Sequence, residues 1–242
     1  MDIVDALEAT AGTTCFVGAG GKKTTMATLA GRIDRAAVTA TVRIPIFDSW
    51  VDHVAVTDDP APAVASADAW PVGVVPERER ADRYRGYDTA TVDALADADV
   101  AGAILVKADG ARMRLFKAPN EREPQLPGTE TVVPVASAHV VGRSLTDEHV
   151  HRVDRVAALT GREPGATLRP VDVGTVLASE EGGLKDVPTD ATAIPLVNMV
   201  DDADLEATAR EIAAEIHGRA DVPRVVLAEM RADDPLIGIV ER

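Results

Sequence analysis

A glycine-rich segment near the amino terminus combines the residue types that bind a polyphosphate. It follows a short apolar run, precedes a helical pattern, and consists of Gly18, Ala19, Gly20, Gly21, Lys22, Lys23, Thr24 and Thr25. Glycines let backbone N–H groups approach phosphate oxygens, a lysine reaches the outer phosphates, and a threonine hydroxyl binds Mg²⁺. The positive end of the following helix adds to the attraction. We therefore predict a phosphate loop over residues 18–25 that binds a magnesium nucleotide, ATP or GTP.

The spacing within this loop leaves open which lysine meets the phosphates. The glycine segment, residues 18–21, is shorter than the common G-x-x-x-x-G-K-[ST] pattern, and glycine pairs before lysine also occur in plain turns. If Lys22 is the phosphate lysine, Lys23 stands where a hydroxyl residue is usual. If Lys23 has that role, Thr24 holds the metal. We favour Lys22, beside the glycines, with Thr24 or Thr25 near the magnesium ion.

An aspartate after a second apolar run is placed to meet this loop. Asp109 follows the run at residues 104–106 and precedes Gly110. Asp-Gly is also a common turn. In nucleotide-binding proteins with such a loop, however, a carboxylate at the end of a neighbouring strand orders the magnesium ion or its water. We therefore expect Asp109 to be a metal ligand and, with Lys22, a catalytic candidate.

The segment after Asp109 is basic in a chain that is otherwise acidic. Residues 107–117 contain four basic side chains and one acidic one, whereas the whole chain has a formal net charge of −15. A solvated loop, or arginines paired with distant carboxylates, would explain this equally. The sharper hypothesis is a second anion site beside the nucleotide, for a phosphorylated or carboxylated partner, because arginines bind such groups through paired hydrogen bonds.

A polar segment late in the chain resembles a base-reading motif. Asn198, Met199, Val200 and Asp201 follow an apolar run and precede a helical pattern. Guanine-binding proteins often have Asn-Lys-x-Asp at this place, where the aspartate accepts hydrogen bonds from the base. Asn and Asp are also ordinary helix caps, and Met199 replaces the lysine, so the choice between ATP and GTP stays open. We expect Asn198 and Asp201 to contact the base.

Composition limits the remaining function classes. The sequence pI is about 4.7, and the acidic residues are dispersed. Dispersed acid with 3% aromatic residues predicts a halophilic protein of a high-salt cytoplasm, with an ordinary acidic protein as the alternative. Such a chain is a poor binder of nucleic acid or anionic membranes. The single cysteine excludes an internal disulfide framework, no apolar run approaches the length of about 20 residues that spans a membrane, and we expect a cytoplasmic location.

Lysine is rare in this chain, which makes its positions informative. Five lysines stand against twenty arginines, and four of the five are Lys22, Lys23, Lys107 and Lys117. Because the sequence otherwise avoids lysine, these four lysines are candidates for a role in binding or catalysis. His149 and His151 suggest a metal pair only weakly, because other metal-binding side chains are scarce around them.

Apolar runs alternate with helical patterns along the whole chain. We predict an α/β fold with a mainly parallel sheet covered by helices on both faces, similar to P-loop NTPases, in a single domain over residues 1–242. Among the expected elements are a helix from Thr24 to Gly31, a connection at 60–68, a helix from Thr146 to Leu159, a strand at 193–197 and a last strand at 225–228.

The chain resembles the YqeC family, described as accessory proteins of selenium-dependent hydroxylases. The resemblance covers most of the length and is carried by residues 17–22, 39–45, 107–112, 117–124, 140–145, 151–152 and 198–201. It implies a P-loop-type nucleotide-binding fold and a role in maturing molybdenum-containing hydroxylases, including those with labile selenium. The chain departs from the common pattern at Lys107, where many relatives carry glutamate, and at Met199, where they carry lysine.

These observations lead to three hypotheses about function. The first is an accessory factor and slow NTPase, in which hydrolysis rearranges the loops at 43–50 and 110–120. The side chains expected to face its second substrate or client are Arg43, Arg112, Lys117, His151 and Arg152. The second is a transferase that passes a phosphoryl or nucleotidyl group to a small cofactor precursor. The third is a non-catalytic binding module with an anion in the loop.

Overall fold

The chain forms seven helices and fourteen strands in a computed structural model that describes residues 1–242. The helices are α1 Ile3–Ala6, α2 Lys22–Ala30, α3 Pro60–Ala65, α4 Thr89–Asp97, α5 Val153–Thr160, α6 Pro170–Leu177 and α7 Ala203–His217. The strands are β1 Gly12–Gly18, β2 Ala36–Ala40, β3 Ile44–Pro45, β4 His53–Val56, β5 Val72–Val75, β6 Arg83–Tyr84, β7 Ala103–Lys107, β8 Phe116–Lys117, β9 Thr131–Ser137, β10 Val150–His151, β11 Thr192–Ala193, β12 Leu196–Asn198, β13 Arg224–Ala228 and β14 Leu236–Glu241.

Ten of the strands form one large sheet. Its order is β14-β13-β12-β9-β1-β7-β2-β5-β4, with β11 also paired to β9. All neighbours are parallel except β14, which runs antiparallel to β13. Two short two-stranded pairs, β3 with β6 and β8 with β10, lie outside this sheet. The predicted α/β class with a mainly parallel sheet is confirmed, and the arrangement is consistent with a P-loop NTPase-like fold.

Helices cover both faces of the sheet, as continuously apolar strands require. Phe16 of β1 points to the face that α1 and α2 cover, where it joins Met26 and Leu29 in one core cluster. Its neighbours Cys15 and Val17 point to the opposite face and pack with side chains of α3 and α4. The helices α5, α6 and α7 cover the rest of that second face, over β12 and β13.

The helix after the phosphate loop starts two residues earlier than predicted. It begins at Lys22, not at Thr24, because Gly21 has a φ of +121° and ends the loop immediately before the first helical residue. Gly31 follows the last residue of the helix, where its end was expected. Lys22 is therefore the first residue of the helix, directly after the glycines of the loop.

Four other expectations about secondary structure were wrong in part. The helix from Thr146 starts only at Val153, because Val150–His151 form β10 against β8 and Arg152 takes a left-handed conformation. Residues 60–65 of the expected connection form α3, which begins with Pro60. The expected strand at 193–197 is split into β11 and β12 around Pro195, and β14 follows the strand that was expected to be the last.

No helix of the structure is long and apolar enough to cross a membrane. The prediction of one domain over the whole chain stays a prediction.

Candidate functional site

The predicted site residues lie at one edge of the sheet. The loop after β1 stands between the ends of β7 and β9, because β1 pairs with both in parallel. Carboxyl ends of parallel strands lie at the same edge, where α/β proteins bind their ligands. Asp109 and Arg43 follow β7 and β2, and Asn198 is the last residue of β12, so all three reach the same edge.

Close packing forces the phosphate loop to be built of glycine. Gly20 has a φ of +90°, and a Cβ there would lie 2.3 Å from the backbone nitrogen of Ser137. A Cβ on Gly21 would lie 2.1 Å from Nδ2 of Asn198. Neither position has room for a side chain, so the neighbouring strand ends press directly against the backbone of the loop.

Lys22 and Asp109 form a buried ion pair within the loop. Nζ of Lys22 contacts Oδ1 of Asp109 and also donates to the carbonyl of Gly18. Oδ2 of the same carboxylate accepts a hydrogen bond of 2.8 Å from the Gly18 N–H group. Burial raises the pKa of the Asp109 carboxyl, but the charges of Lys22 and Lys117 outweigh it and hold that pKa below its usual range. The loop thus already accepts one anionic group, supplied by the chain itself.

Lys117 connects this pair to a second carboxylate. Its Nζ lies 2.8 Å from Oδ2 of Asp109 and 2.7 Å from Oε2 of Glu123, and its side chain is fully buried. Arg152 also binds Oε2 of Glu123, at 2.7 Å. Burial opposes ionisation of Glu123, but its bonds to Arg152 and Lys117 bring its pKa down to about 2. Lys117 is therefore an internal link and does not face a ligand directly.

Two further lysines fix the backbone around this cluster. Nζ of Lys107 donates to the carbonyls of Arg43 at 2.9 Å and Asp109 at 2.7 Å, and burial beside the other lysines lowers its pKa to about 7. Lys185, distant in sequence, donates to the carbonyl of Glu123 at 2.6 Å. With Lys22 and Lys117, four of the five lysines of the chain thus lie in or against this cluster.

The first turn of α2 favours Lys22 over Lys23 as the phosphate lysine. Lys22 is buried and aimed at Asp109, whereas Lys23 is partly exposed. The N–H groups of Lys22, Lys23 and Thr24 have no acceptor in the chain, as is usual for the start of a helix, and no side chain caps it. The Thr25 hydroxyl donates to the carbonyl of Gly21 at 3.2 Å, and that of Thr24 has no partner.

The donors near the loop suit magnesium better than a transition metal. No group of three His, Cys, Asp or Glu side chains stands close enough to hold a metal ion by itself. Magnesium bound with a nucleotide needs only one or two protein oxygens, because phosphates and waters complete its shell. Asp109 and the free hydroxyl of Thr24 fit that requirement. No third His, Cys, Asp or Glu side chain joins His149 and His151 in such a group.

The other predicted client residues line a cavity of about 590 Å³ beside the cluster. Arg43, Arg112, His151 and Arg152 all reach it. Burial and the charges of Arg152, Lys117 and Arg112 lower the pKa of His151 to about 4, so its ring is neutral near pH 7. The structure therefore brings together four of the five side chains that the sequence suggested for a second substrate.

The predicted base contacts are arranged differently from each other. Asn198 is buried, with Nδ2 donating to the Gly20 carbonyl at 3.0 Å and Oδ1 accepting from the Met230 N–H group at 3.3 Å. Its amide is thus occupied in bracing the loop. Asp201 is exposed and lies 2.5 Å from Nε2 of His139. A hydrogen bond with Glu229 and another with His139 lower the pKa of Asp201, and the Glu229 pKa is raised in turn.

Glu123 is the member of this site that sequence reasoning missed. It lies in the quoted run at 117–124, but nothing in the sequence separates it from Glu121, which pairs with Arg155 at the surface. The available signal was the run of lysine, arginine and glutamate close after Asp109. Only the fold shows that Glu123 joins the loop cluster to the wall of the cavity.

Comparison with known proteins supports the resemblance stated above. A family model described as YqeC protein matches residues 14–154. The uncharacterized protein YqeC of Escherichia coli (strain K12) is 32% identical over 117 residues, 48% of this chain and 46% of that protein. The chain therefore matches about half the length of this curated relative. No solved structure matches. The family match includes Lys22, Asp109, Glu123 and Arg152, but not Asn198.

Proposed function

The chain belongs to the YqeC family, and from that premise we propose that it binds the polyphosphate of a magnesium nucleotide, ATP or GTP, in the phosphate loop. One observation carries the proposal. Lys22, at the first position of α2, is buried behind three glycines with positive φ, and its ammonium contacts an acidic side chain held by the same loop. These donors are of the kind that anions bind at helix amino termini.

The neighbouring charges support the same proposal. Lys22, Lys107 and Lys117 are all buried, and the only carboxylates in contact with them are Asp109 and Glu123. A buried charge without a counter-ion is costly. A phosphate group beside the loop would reduce the repulsion among the three ammonium groups, which makes this end of the sheet favourable for anions.

Magnesium would be held by Asp109 together with the hydroxyl of Thr24 or Thr25. Its chemistry there is to neutralise the charge of the phosphates to which it is bound. For a nucleotide to bind, the Lys22 ammonium turns from the Asp109 carboxylate to the outer phosphates. The carboxylate, still held by the Gly18 N–H group and Lys117, would then be available as a magnesium ligand. Lys22 and Asp109 are thus the catalytic candidates.

The proposed role is that of a maturation factor with slow nucleotide hydrolysis. The family resemblance suggests molybdenum-containing hydroxylases, including selenium-dependent ones, as clients. Loops 43–50 and 110–120 would transmit the hydrolysis step, since the carbonyl of Arg114 accepts from the Gly20 N–H group at 3.0 Å. That contact joins the second loop directly to the phosphate loop.

A transferase is the second candidate, and the cavity beside the loop favours it. A cavity of about 590 Å³ is of the size that takes a small substrate. In that case a phosphoryl group would pass from the nucleotide to an acceptor in the cavity and leave a nucleoside diphosphate, or a nucleotidyl group would pass and leave pyrophosphate. A protein of this kind consumes little nucleotide until the acceptor is present.

The test is nucleotide binding by the purified protein in molar salt, with Lys22→Ala and Lys23→Ala as a matched pair. Both changes remove one lysine from the same turn. Loss of a charged hydrogen bond of about 1.5–3 kcal/mol predicts a Kd for magnesium ATP or GTP that rises about 10- to 100-fold in Lys22→Ala. We expect Lys23→Ala to bind almost normally.

Circular dichroism and thermal unfolding establish whether each variant keeps its fold. Unchanged nucleotide affinity in a folded Lys22→Ala protein contradicts the proposal. Equal losses of affinity in both variants would show a general effect of charge and no specific role for Lys22. Phosphate release measured without an acceptor then separates the functions: steady release indicates an NTPase. Nucleotide consumption that requires an acceptor, with the phosphoryl or nucleotidyl group recovered on that acceptor, indicates a transferase. Binding without either indicates a module that carries out no reaction.

A further inference from the structure

The cavity beside the phosphate loop has the chemistry of a separate anion site. It has a volume of about 590 Å³, and none of its lining residues is apolar. The lining side chains with polar or charged ends are Arg43, Arg112, Asn120, Glu123, Asp147, His151 and Arg152. A cavity of this composition suits a polar, charged ligand and is unsuited to an apolar one.

The cationic groups in and directly behind the lining of the cavity outnumber the carboxylates there. Glu123 is already bound through Oε2 to Lys117 and Arg152 and through Oε1 to the Gly110 N–H group at 3.1 Å. Arg43 is paired with Glu79. Arg112 has no ion pair, and Asp147 is the remaining carboxylate of the lining.

With the Arg43–Glu79 and Lys22–Asp109 pairs set aside, three cationic groups stand against two carboxylates. The cations are Arg112 and Arg152 of the lining and Lys117 behind it, and the carboxylates are Glu123 and Asp147. This local excess of positive charge lies in a protein whose formal net charge is −15. An excess of cations that persists against such a background favours an anion in the cavity.

The backbone at the two key arginines is strained. Arg112 and Arg152 have φ values of +47° and +66°. Such conformations cost about 1–3 kcal/mol for residues other than glycine and cluster at functional sites. The strain aims two arginines from separate segments at one cavity, which ordinary helix or strand geometry would not do.

We propose that this cavity binds the oxyanion of a second small molecule, one that bears a phosphate or carboxylate group. Arg112 and the free end of the Arg152 guanidinium are the anion donors, because planar guanidinium groups bind such oxygens in pairs. Asn120 and His151 supply neutral hydrogen-bonding groups beside them. The volume exceeds that of a bare anion, so the cavity accepts the rest of a small polar molecule. The site depends only on its own residues, and it stands whether or not the phosphate loop binds a nucleotide.

The test uses inorganic phosphate and succinate as probes, at constant ionic strength, with chloride as the blank. Binding is followed by the NMR signals of the arginine side-chain Nε–H groups. The matched variants are Arg112→Gln and Arg122→Gln. Both remove one exposed arginine from the segment 110–124, but Arg122 does not line the cavity. Neither arginine side chain has a partner whose loss would unfold the protein.

We expect phosphate or succinate to shift the signals of Arg112 and Arg152 with a saturable dependence on concentration. Arg112→Gln should weaken that binding about ten-fold, the loss of one charged hydrogen bond, and Arg122→Gln less than about two-fold. Whichever probe binds more tightly identifies the oxyanion class. Equal losses in the two variants, or no saturable shift with either probe, would overturn the proposal.

The Lys22→Ala variant separates this site from the phosphate loop. If the cavity is a site of its own, the Arg112 and Arg152 shifts persist in that variant with similar affinity. If phosphate binds only in the loop, the shifts disappear with Lys22, and the inference is wrong. A protein that binds no nucleotide but still shows the saturable shifts contradicts the proposed function and leaves this inference intact.

Discussion

The two sides of the phosphate loop hold their charged groups in different ways. On the side of β7, Lys22, Asp109 and Lys117 are buried and fixed by direct ion pairs. On the side of β12, Asp201 is exposed and shares its surroundings with His139 and Glu229. Since buried pairs lose their partner's charge without compensation from water, the first side depends on every member. The second side can exchange one partner for another or for solvent.

The buried side lies within the residues that the family model matches, whereas Asp201 of the exposed side lies outside them. The family match, residues 14–154, contains Lys22, Asp109, Lys117 and Glu123. It ends before Asn198 and Asp201. Phosphate contacts are common to every nucleotide, whereas base contacts decide between nucleotides. The side that is shared is therefore the side with the more general chemistry.

The largest effect should come from removing the carboxylate at the centre of the buried side. Asp109→Ala leaves Lys22 and Lys117 without their shared counter-ion, so we expect the free energy of unfolding to fall by about 3–5 kcal/mol. Asp201→Ala, on the exposed side, should cost less than about 1 kcal/mol. Denaturant unfolding of both variants measures the difference. Similar losses would show that the two sides do not differ as described.

A high salt concentration should affect the two variants differently. Exposed pairs are screened within about 8–10 Å at moderate ionic strength, whereas buried pairs are screened much less. The loss in Asp109→Ala should therefore persist in molar salt, while any loss in Asp201→Ala should shrink. A loss in Asp109→Ala that disappears in molar salt would mean that water reaches the cluster.

An intermediate effect is expected at Asn198, which is buried but uncharged. Asn198→Ala leaves the Gly20 carbonyl and the Met230 N–H group without their partner. Each buried polar group left unsatisfied costs about 1–3 kcal/mol. Asn120→Ala, a partly exposed asparagine of the cavity, serves as the control and should cost less. A neutral Asn198→Ala substitution would show that water replaces the amide and that Asn198 is free to contact a base.

The smallest change in stability, but a clear change in pKa, is expected at the pair of Asp201 and the partly buried Glu229. A hydrogen bond with Asp201 raises the pKa of Glu229. Its stabilisation is thus present at low pH and is lost as the pH rises through that raised pKa. Asp201→Asn removes the shared negative charge, so the Glu229 pKa should fall toward its usual value. Carboxyl NMR titration of Glu229 measures this, and an unchanged pKa would show that the two groups do not interact.

Much of the fold, and the proximity of Asp109 to the loop at residues 18–25, could be predicted from the sequence. The strands β1, β7 and β9 are short runs of mainly apolar or β-branched residues, which is typical of parallel strands covered on both faces. The glycines before Lys22 and the position of Asp109 after β7 predicted that Lys22 and Asp109 lie at the same edge of the sheet. These signals are local, so a single sequence contains them.

The features that were missed depend on contacts between distant segments. Val150–His151 form a strand only because Phe116–Lys117 lie beside them, and a helical pattern of the same residues looked plausible alone. Glu123 and Lys185 joined the cluster through the fold, 62 residues apart in sequence. Asn198 looked like a base contact because its two backbone partners could not be seen from its neighbours.

The contacts of Asn198 have a consequence for how this protein can be divided. One end of its amide is bound to the loop and the other to Met230, and the carbonyl of Met230 accepts a bond of 2.8 Å from Thr28 in α2. The turn after β13 thus binds both the loop and α2. A fragment trimmed to residues 14–154 would lack Asn198 and Met230, so we expect the loop to be less firmly held in it than in the whole chain.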